Sequence, residues 1–327
     1  MGTFSFFRTL LKKDASSKKS NKSSSKSDTT TPESPSTTST NTSSFNEYAE
    51  LGRRYHTRPD ASYILPNDDE ESDRVHMQHW VVKLAFSGNH DSPVAEMLEA
   101  GDNVLDAGCG PATWPLEMAE MYPRSRFYGV DISLVFPTQI KPKNCEFILH
   151  NLADPLPYPD NFFCFVHQRL LVMGHLETDW PKIMNEFMRV TKPGGWIECT
   201  ECTMPDLANP GPKMNIIMHS VNVIAKKKGL NPAVAYELKP LLEGAGAINI
   251  VDRKVITPVG HGGKLGELLW EDFYSLFITF RPIVAKSHPE LEPPEVYDAF
   301  VKDAKAECEE YKTGFIWHRT YGQKPGF

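Results

Sequence analysis

The sequence predicts an α/β fold in which helices cover both faces of a mostly parallel sheet. A short apolar strand over Asn103–Ala107 leads through the glycine turn 108–110 into a helix. Further on, continuously apolar stretches such as 162–166 and 196–200 alternate with helical ones. This alternation is typical of buried parallel strands joined by right-handed crossovers. In such sheets a ligand binds at the carboxyl ends of the strands.

Residues 1–44 are predicted to be a disordered tail. From Asp14 to Ser44 the sequence is nearly all Ser, Thr, Lys, Asn and Pro, and it cannot bury enough surface to offset its ordering entropy. The chain has a net charge of −7, but the tail carries seven basic and three acidic residues, so the remainder is more acidic still. An acidic domain argues against nucleic acid as a partner.

The amino-terminal tip and the cysteines bear on location. The tip, residues 4–13, is short, apolar and basic, which fits a membrane-surface helix, a targeting segment or, as we favour, a solvated tail. No stretch is long enough to span a bilayer.

Six scattered cysteines predict reduced thiols and a cytoplasmic or nuclear location. Cys199 and Cys202 have the spacing of half a zinc site, but no second pair accompanies them, so no metal is expected.

Four regions are predicted in order. The tail, 1–44, precedes a helical lead-in over 45–100, with one helix that starts at the acidic run 68–71 and extends to about residue 86, and a short one over 92–100. The core, 101–202, contains strands over 103–107, 126–130, 144–149, 162–166 and 196–200, with a helix over 179–190. The last region, 203–327, begins with a helical insertion over 203–238. After it we expect a helix and a strand over 241–251, helices over 265–284 and 294–311, and a strand over 315–321.

The glycine turn leaves two ligand classes open. Asp131 follows it by about 20 residues, where a ribose-binding acid is expected in a dinucleotide site. A pyrophosphate would also require a third glycine where Thr113 stands, and the carboxylate of Asp106 would repel it. A ligand with ammonium and sulfonium groups would be attracted by that charge. The plain alternative is a strand–turn–helix with no ligand.

The chain resembles class I S-adenosylmethionine-dependent methyltransferases and, more narrowly, fungal LaeA-type methyltransferase-domain proteins. The resemblance covers roughly residue 47 to the carboxyl terminus and depends on Asp106-x-Gly108-x-Gly110 and on several flanking segments, which are RRYH 53–56, LPND 65–68, LPYPDN 156–161, VHQR 166–169, KPGGW 192–196 and GQKP 322–325. It implies S-adenosylmethionine as cofactor. The implied fold is Rossmann-like, with seven strands in the order 3-2-1-4-5-7-6, the last of them antiparallel.

The resemblance also implies a cofactor site at the strand ends. Asp131 would accept both ribose hydroxyls, and Asn151 with Leu152 would meet the adenine. Ala112 and Cys164 depart from the family pattern, the first at a frequent glycine and the second at a frequent aspartate. The whole predicted cofactor-binding set is Asp106, Gly108, Cys109, Gly110, Asp131, Ile132, Asn151, Leu152 and His167.

Catalysis and acceptor are less defined by the sequence. His167 and Arg169 are candidate catalytic residues, and His175 and Glu201 are alternative bases, although positioning alone can suffice for methyl transfer. Tyr55 and Tyr63 are candidates for a lid or for simple anchoring, and Trp270 for a substrate wall or core. The acceptor is a small molecule or a protein. Alternatively, the chain is a cofactor-binding regulatory subunit that works through a protein partner.

Overall fold

The computed structural model describes residues 45–48, 52–56, 63 and 65–326. The predicted tail, residues 1–44, lies outside this range. The described part opens with an antiparallel hairpin of β1 (Phe45–Tyr48) and β2 (Arg53–His56), in which Phe45 is level with His56. Everything described belongs to one compact unit, Ser43–Phe327.

The remaining elements alternate as the sequence predicts. The helices are α1 (Asp69–Phe86), α2 (Ala95–Ala100), α3 (Thr113–Met121), α4 (Trp180–Val190), α5 (Pro212–Lys227), α6 (Leu238–Gly244), α7 (Lys264–Thr279), α8 (Arg281–Ala285) and α9 (Pro294–Tyr311), with short 3-10 helices at Val234–Tyr236 and Pro289–Leu291. The strands are β3 (Asn103–Ala107), β4 (Arg126–Asp131), β5 (Cys145–Leu149), β6 (Phe163–Arg169), β7 (Thr191–Ala208), β8 (Ile248–Pro258) and β9 (Gly314–Gln323).

These seven strands form one sheet in the order β5-β4-β3-β6-β7-β9-β8. Neighbours from β5 to β7 pair in parallel, and β9 runs antiparallel to both β7 and β8. The predicted Rossmann-like methyltransferase fold is therefore confirmed, including its strand order. Because β3 and β6 are adjacent, their registers place Asp106 level with His167.

Local chemistry explains the helix that precedes the sheet. Asp68 caps α1 by accepting a hydrogen bond from the backbone N–H of Glu71 at 3.0 Å, and acidic residues follow in the first turn, where they complement the helix dipole. The helix ends at Ser87, which adopts a left-handed conformation with φ 59°. Pro93 lies between this end and the short α2.

Two predicted segments differ from the structure. The sequence predicts a strand over 196–200 followed by a helical insertion from 203, but β7 continues to Ala208 and α5 begins only at Pro212. The strand is long because both it and β9 pair past a bulge between Cys202 and Leu207. The predicted helix over 265–284 is broken in two at Phe280, where Pro282 interrupts the helical hydrogen bonding.

No helix of the described ranges combines the length and the apolar character needed to cross a bilayer.

Candidate functional site

A cavity of about 500 Å³ opens at the carboxyl ends of the parallel strands. This volume is typical of sites for small molecules. Its walls come from the glycine turn, from the ends of β4, β5 and β6, from α1, and from the carboxyl-terminal half of the chain. The predicted cofactor residues that line it are Asp106, Gly108, Cys109, Gly110, Asp131, Ile132, Asn151 and Leu152. Their role in binding stays a prediction, but the fold does bring them together.

The glycine turn is shaped by close contact with the loop after β6. Gly108 has φ 74° and Gly110 has φ 52°, both in the left-handed region. A Cβ on Gly108 would lie 2.6 Å from Cδ1 of Leu171, whereas a Cβ on Gly110 would meet only Cγ1 of Val75 at 3.9 Å. Glycine therefore suits the backbone conformation at position 108, and a Cβ there would also force the side chain of Leu171 to move. Ala112, at the departure from the family pattern, adopts the same left-handed conformation with φ 65°.

Asp106 is held from behind by a histidine. Nδ1 of His167 donates a hydrogen bond to Oδ1 of Asp106 at 2.7 Å, because the carboxylate can only accept. The imidazole stacks on Trp114 at a centroid distance of 3.8 Å, and burial lowers the pKa of His167. His167 does not line the cavity. Its hydrogen bond orients the carboxylate of Asp106, while its predicted cofactor contact and catalytic role stay predictions.

Asp131 binds the turn as well as facing the cavity. Its Oδ2 accepts the backbone N–H of Gly110 at 2.8 Å, and its Oδ1 accepts that of Ser133 at 2.7 Å. Burial raises the pKa of Asp131. Each oxygen has a second lone pair, so the carboxylate can still accept hydroxyl groups of a ribose. At the end of β5, Oδ1 of Asn151 accepts the N–H of Ala153 at 3.1 Å.

Arg169 brings the opposite charge to the cavity. Its guanidinium donates to Nδ1 of His79 at 3.0 Å, and Nε2 of His79 donates to Glu117 at 2.7 Å. Burial lowers the pKa of Arg169 to about 10 and that of His79 to about 4, so the first is charged and the second neutral near pH 7. The predicted catalytic candidate Arg169 is therefore a fixed cation of the cavity wall.

Beyond β6 the cavity becomes apolar. Cys202 on β7 is level with Trp317 on β9, and α5 and α7 cover these strands. We call this part the apolar chamber; its walls are Met173, Cys202, Met204, Met218, Phe273, Leu276, Phe277, Phe280, Phe315 and Trp317. Four of them recur on α7 and just after it at positions 273, 276, 277 and 280, which lie on one helical face.

A buried charge network, which the sequence analysis missed, borders the cavity. Arg74 on α1 donates to Glu71 at 2.6 Å and to Asp272 on α7 at 2.7 Å, and all three are nearly inaccessible to solvent. Glu71 and Arg74 both line the cavity. The signal available in the sequence was an acid and an arginine three residues apart on an otherwise apolar helix face; the partner on α7 is almost 200 residues away.

The remaining candidate residues differ in whether they line the cavity. Tyr63 lines the cavity, as predicted for a lid, but Tyr55 does not. Trp270 packs in the core against Phe277 and is absent from the wall. Glu201 does not line the cavity: its carboxylate accepts N–H groups of Leu171 at 2.7 Å and Val172 at 3.0 Å, so it shapes the loop after β6, and a role as base stays a prediction.

The cysteines and the possible metal ligands were the last candidates from the sequence. All six cysteines are buried and carry free thiols, Cys199 and Cys202 among them. Within the residues that the structure describes, no group of three or more His, Cys, Asp or Glu side chains is arranged to hold a metal ion.

The sequence is similar to those of known methyltransferases and of LaeA-type regulators. Residues 104–195 match the methyltransferase domain family. Methyltransferase pytC of Aspergillus terreus is 30% identical over 238 residues, which cover 68% of this chain and 69% of pytC. Secondary metabolism regulator LAE1 of Cochliobolus heterostrophus is 28% identical over 65% of this chain and 71% of its own length. Protein-methionine methyltransferase laeA of Emericella nidulans is 30% identical over 50% of this chain and 42% of laeA.

The match to pytC, which extends over two thirds of both chains, shows the family. The chain belongs to the class I S-adenosylmethionine-dependent methyltransferases, in the group that contains pytC and the LaeA-type proteins. It transfers a methyl group from S-adenosylmethionine to an acceptor.

The residues at the strand ends fit this cofactor. Its methionine part carries an ammonium and a carboxylate, and the cavity offers the carboxylate of Asp106 and the guanidinium of Arg169 in its wall. Asp131 would hold the ribose hydroxyls, and Leu152 with Asn151 would flank the adenine. When bound, S-adenosylmethionine supplies a methyl group that its positive sulfur makes electrophilic.

Proposed function

We propose that the methyl acceptor is a small, largely apolar molecule with rings, held in the apolar chamber. The observation that supports this proposal is the continuity of the chamber with the cofactor residues in one cavity. Aromatic and methionine side chains offer a shape and surface that suit such rings, and they give few hydrogen bonds to a peptide or a nucleotide.

The chain's own contribution to the reaction is placement and exclusion of water. The chamber walls orient the acceptor toward the end of the cavity where Asp106 and Arg169 lie. Tyr63 and the loop after β6 cover the space between, since Cδ2 of Tyr63 approaches Gly174 closely enough that a Cβ there would be 3.4 Å away. Correct orientation in a dry site can supply much of the rate for a simple displacement.

Labelling tests the acceptor class. The chain is incubated with methyl-labelled cofactor and extract of the source cells, and label is followed into the solvent-extractable and protein fractions. We expect label in the solvent-extractable fraction. The variant Met218→Trp, which fills the chamber, should abolish labelling of the solvent-extractable fraction while S-adenosylhomocysteine still binds. The matched control is Met121→Trp, because Met121 is 54% exposed on α3; this variant should label that fraction as the wild type does. Label confined to protein would contradict the proposal.

A second function, that of a LaeA-type regulator acting through protein partners, is favoured by one surface. Trp80 (42% exposed) and Leu84 (50%) lie one turn apart on α1, and Met121 lies on α3, which Glu117 joins to α1 through His79 and Lys83. Trp80→Glu should preserve methyl transfer in vitro. If the chain is a regulator, this variant should fail to restore the transcripts lost on deleting the gene; full restoration would argue against it.

The proposed location is the cytoplasm or nucleus. Six free, buried thiols support a reducing compartment. A fluorescent fusion of the whole chain tests this, and a secreted or organelle-enclosed signal would contradict it.

A further inference from the structure

His175 lies in the cavity wall, in the loop that follows β6. Its backbone N–H donates to the carbonyl of Leu171 at 3.2 Å, so the two residues are one turn apart. The side chain of Leu171 in turn covers Gly108 of the cofactor turn. Met173, between them, belongs to the apolar chamber. His175 therefore stands where the cofactor end of the cavity meets the chamber.

The ring of His175 packs against Trp180 without a hydrogen bond between them. The residue is 8% exposed, and its Nε2 is fully buried without a hydrogen bond. Across the described part of the chain, no hydrogen bond to its Nδ1 is found either. The charged cavity groups Asp106, Asp131 and Arg169 are all bonded to protein. Nε2 has almost no surface open to the cavity, whereas Nδ1 is not among the fully buried atoms, so Nδ1 is the nitrogen whose lone pair a hydroxyl of a ligand can reach.

The imidazole is neutral and fixed in place. Burial lowers the pKa of His175 to about 4, although the nearby carboxylate of Asp179 acts in the opposite direction. The ring meets Trp180 edge-on at a centroid distance of 5.2 Å. Near pH 7 one ring nitrogen therefore has an unprotonated lone pair that can accept a hydrogen bond.

We propose that His175 accepts the proton of the methyl acceptor, and that the acceptor is consequently a hydroxylated aromatic or polycyclic molecule. This inference rests on the proposed function, since it requires a small apolar molecule in the chamber. It adds the reacting group: a hydroxyl directed at His175, at the cofactor end of the chamber.

The step balances with the groups named. The hydroxyl oxygen bonds to the methyl carbon while the carbon–sulfur bond breaks, the bonding electron pair stays on sulfur, and the hydroxyl proton passes to the imidazole. The oxygen becomes much more acidic as it gains the methyl group, so a weakly basic histidine suffices late in the transfer. Asp179, which also lines the cavity, then stabilises the imidazolium.

Binding of two probes tests the proposal without a reaction. Dissociation constants of 2-naphthol and 2-methoxynaphthalene are measured by calorimetry with saturating S-adenosylhomocysteine. The full-length wild type is compared with His175→Phe, which keeps a ring but no nitrogen, and with His175→Gln, which keeps an acceptor oxygen. His219→Phe is the matched control, because His219 is exposed on α5. Thermal midpoint and S-adenosylhomocysteine affinity report folding.

Wild type and His219→Phe should prefer 2-naphthol by about fivefold to tenfold, the effect of one hydrogen bond. His175→Phe should bind both probes equally, and His175→Gln should recover part of the preference; if the Phe variant does not fold, a reduced preference in the Gln variant is the expected result. Equal binding by wild type, or an unchanged preference in the position-175 variants, would overturn the role of His175 and leave the apolar acceptor standing. Failure of both probes to bind wild type would overturn the proposed function as well.

Discussion

Gly108 illustrates how a single residue connects the cofactor turn to the loop after β6. Gly108→Ala and Gly110→Ala both place a side chain in the left-handed region, at a similar backbone cost. Only at position 108 does the new Cβ collide with Leu171. We expect Gly108→Ala to lower the free energy of unfolding by about 1–3 kcal/mol more than Gly110→Ala does, the usual cost of overpacking. Calorimetry checks this, and equal losses would show that backbone strain alone matters.

His167 gives a second prediction at this scale. His167→Ala removes the hydrogen bond that orients Asp106 and leaves the carboxylate less constrained. S-adenosylhomocysteine binding should weaken by about 1.5 kcal/mol or more, the range for hydrogen bonds to charged groups. His167→Asn, whose amide can reach the same oxygen, should keep most of the affinity. If both variants bind like wild type, His167 only fills space against Trp114.

At the level of residues, the sequence predicts the strand ends well and the cavity walls poorly. Asp106, Asp131 and Asn151 each follow an apolar strand, so their convergence follows from parallel topology. The topology does not predict which of these side chains reach the cavity. His167 and Arg169 are two positions apart on β6, yet only Arg169 lines the cavity. That distinction depends on Trp114 and His79, which occupy other helices.

Among the elements, the loop between β6 and α4 depends on a buried carboxylate. Glu201 on β7 accepts the N–H groups of Leu171 and Val172, and a bond from Gln168 at 2.5 Å. Burial raises the pKa of Glu201 to about 7, against 4.5 for an ordinary glutamate. Since the native state holds the proton more tightly than the unfolded state, this group lowers the free energy of unfolding as pH rises from about 4.5 to about 7.

Urea unfolding at pH 5, 6 and 7 measures that dependence. Between pH 5 and 7, wild type should lose about 2–3 kcal/mol relative to Glu201→Gln, because the amide cannot titrate. Histidines that titrate in this range are present in both proteins and cancel in the difference. Parallel pH profiles for the two proteins would mean that Glu201 is ionised throughout.

The lengths of elements are less predictable than their order. The sequence predicts a helical insertion from residue 203, but β7 extends to Ala208 because β9 pairs with it there. A partner strand more than a hundred residues away leaves no trace in local apolar periodicity. For the same reason the apolar chamber could not be predicted: its walls come from β7, β9, α5 and α7, which only tertiary packing brings together.

At the scale of the whole molecule, charged pairs connect the amino-terminal hairpin to the start of α1, and α1 to α7. Arg53 on β2 binds Asp68 at 2.6 Å, at the start of α1, and Arg54 donates to the carbonyl of Asn67 at 2.7 Å. Further along α1, Arg74 reaches Asp272 on α7. Between the hairpin and α1, Tyr63 lines the cavity.

A lid over residues 53–66 stays a prediction, in which the segment would close over a ligand and exclude water from the reacting groups. The alternative is that the segment only anchors α1 to the body of the domain. Hydrogen exchange separates the two: amides of residues 53–66 should exchange more slowly with saturating S-adenosylhomocysteine than without it, while peptides of α9, remote from the cofactor residues, should not change. Asp68→Ala, which removes both the ion pair with Arg53 and the cap of α1, should speed exchange in the free protein and reduce the protection that the ligand confers. Identical exchange of residues 53–66 with and without ligand would assign the segment to structural packing alone.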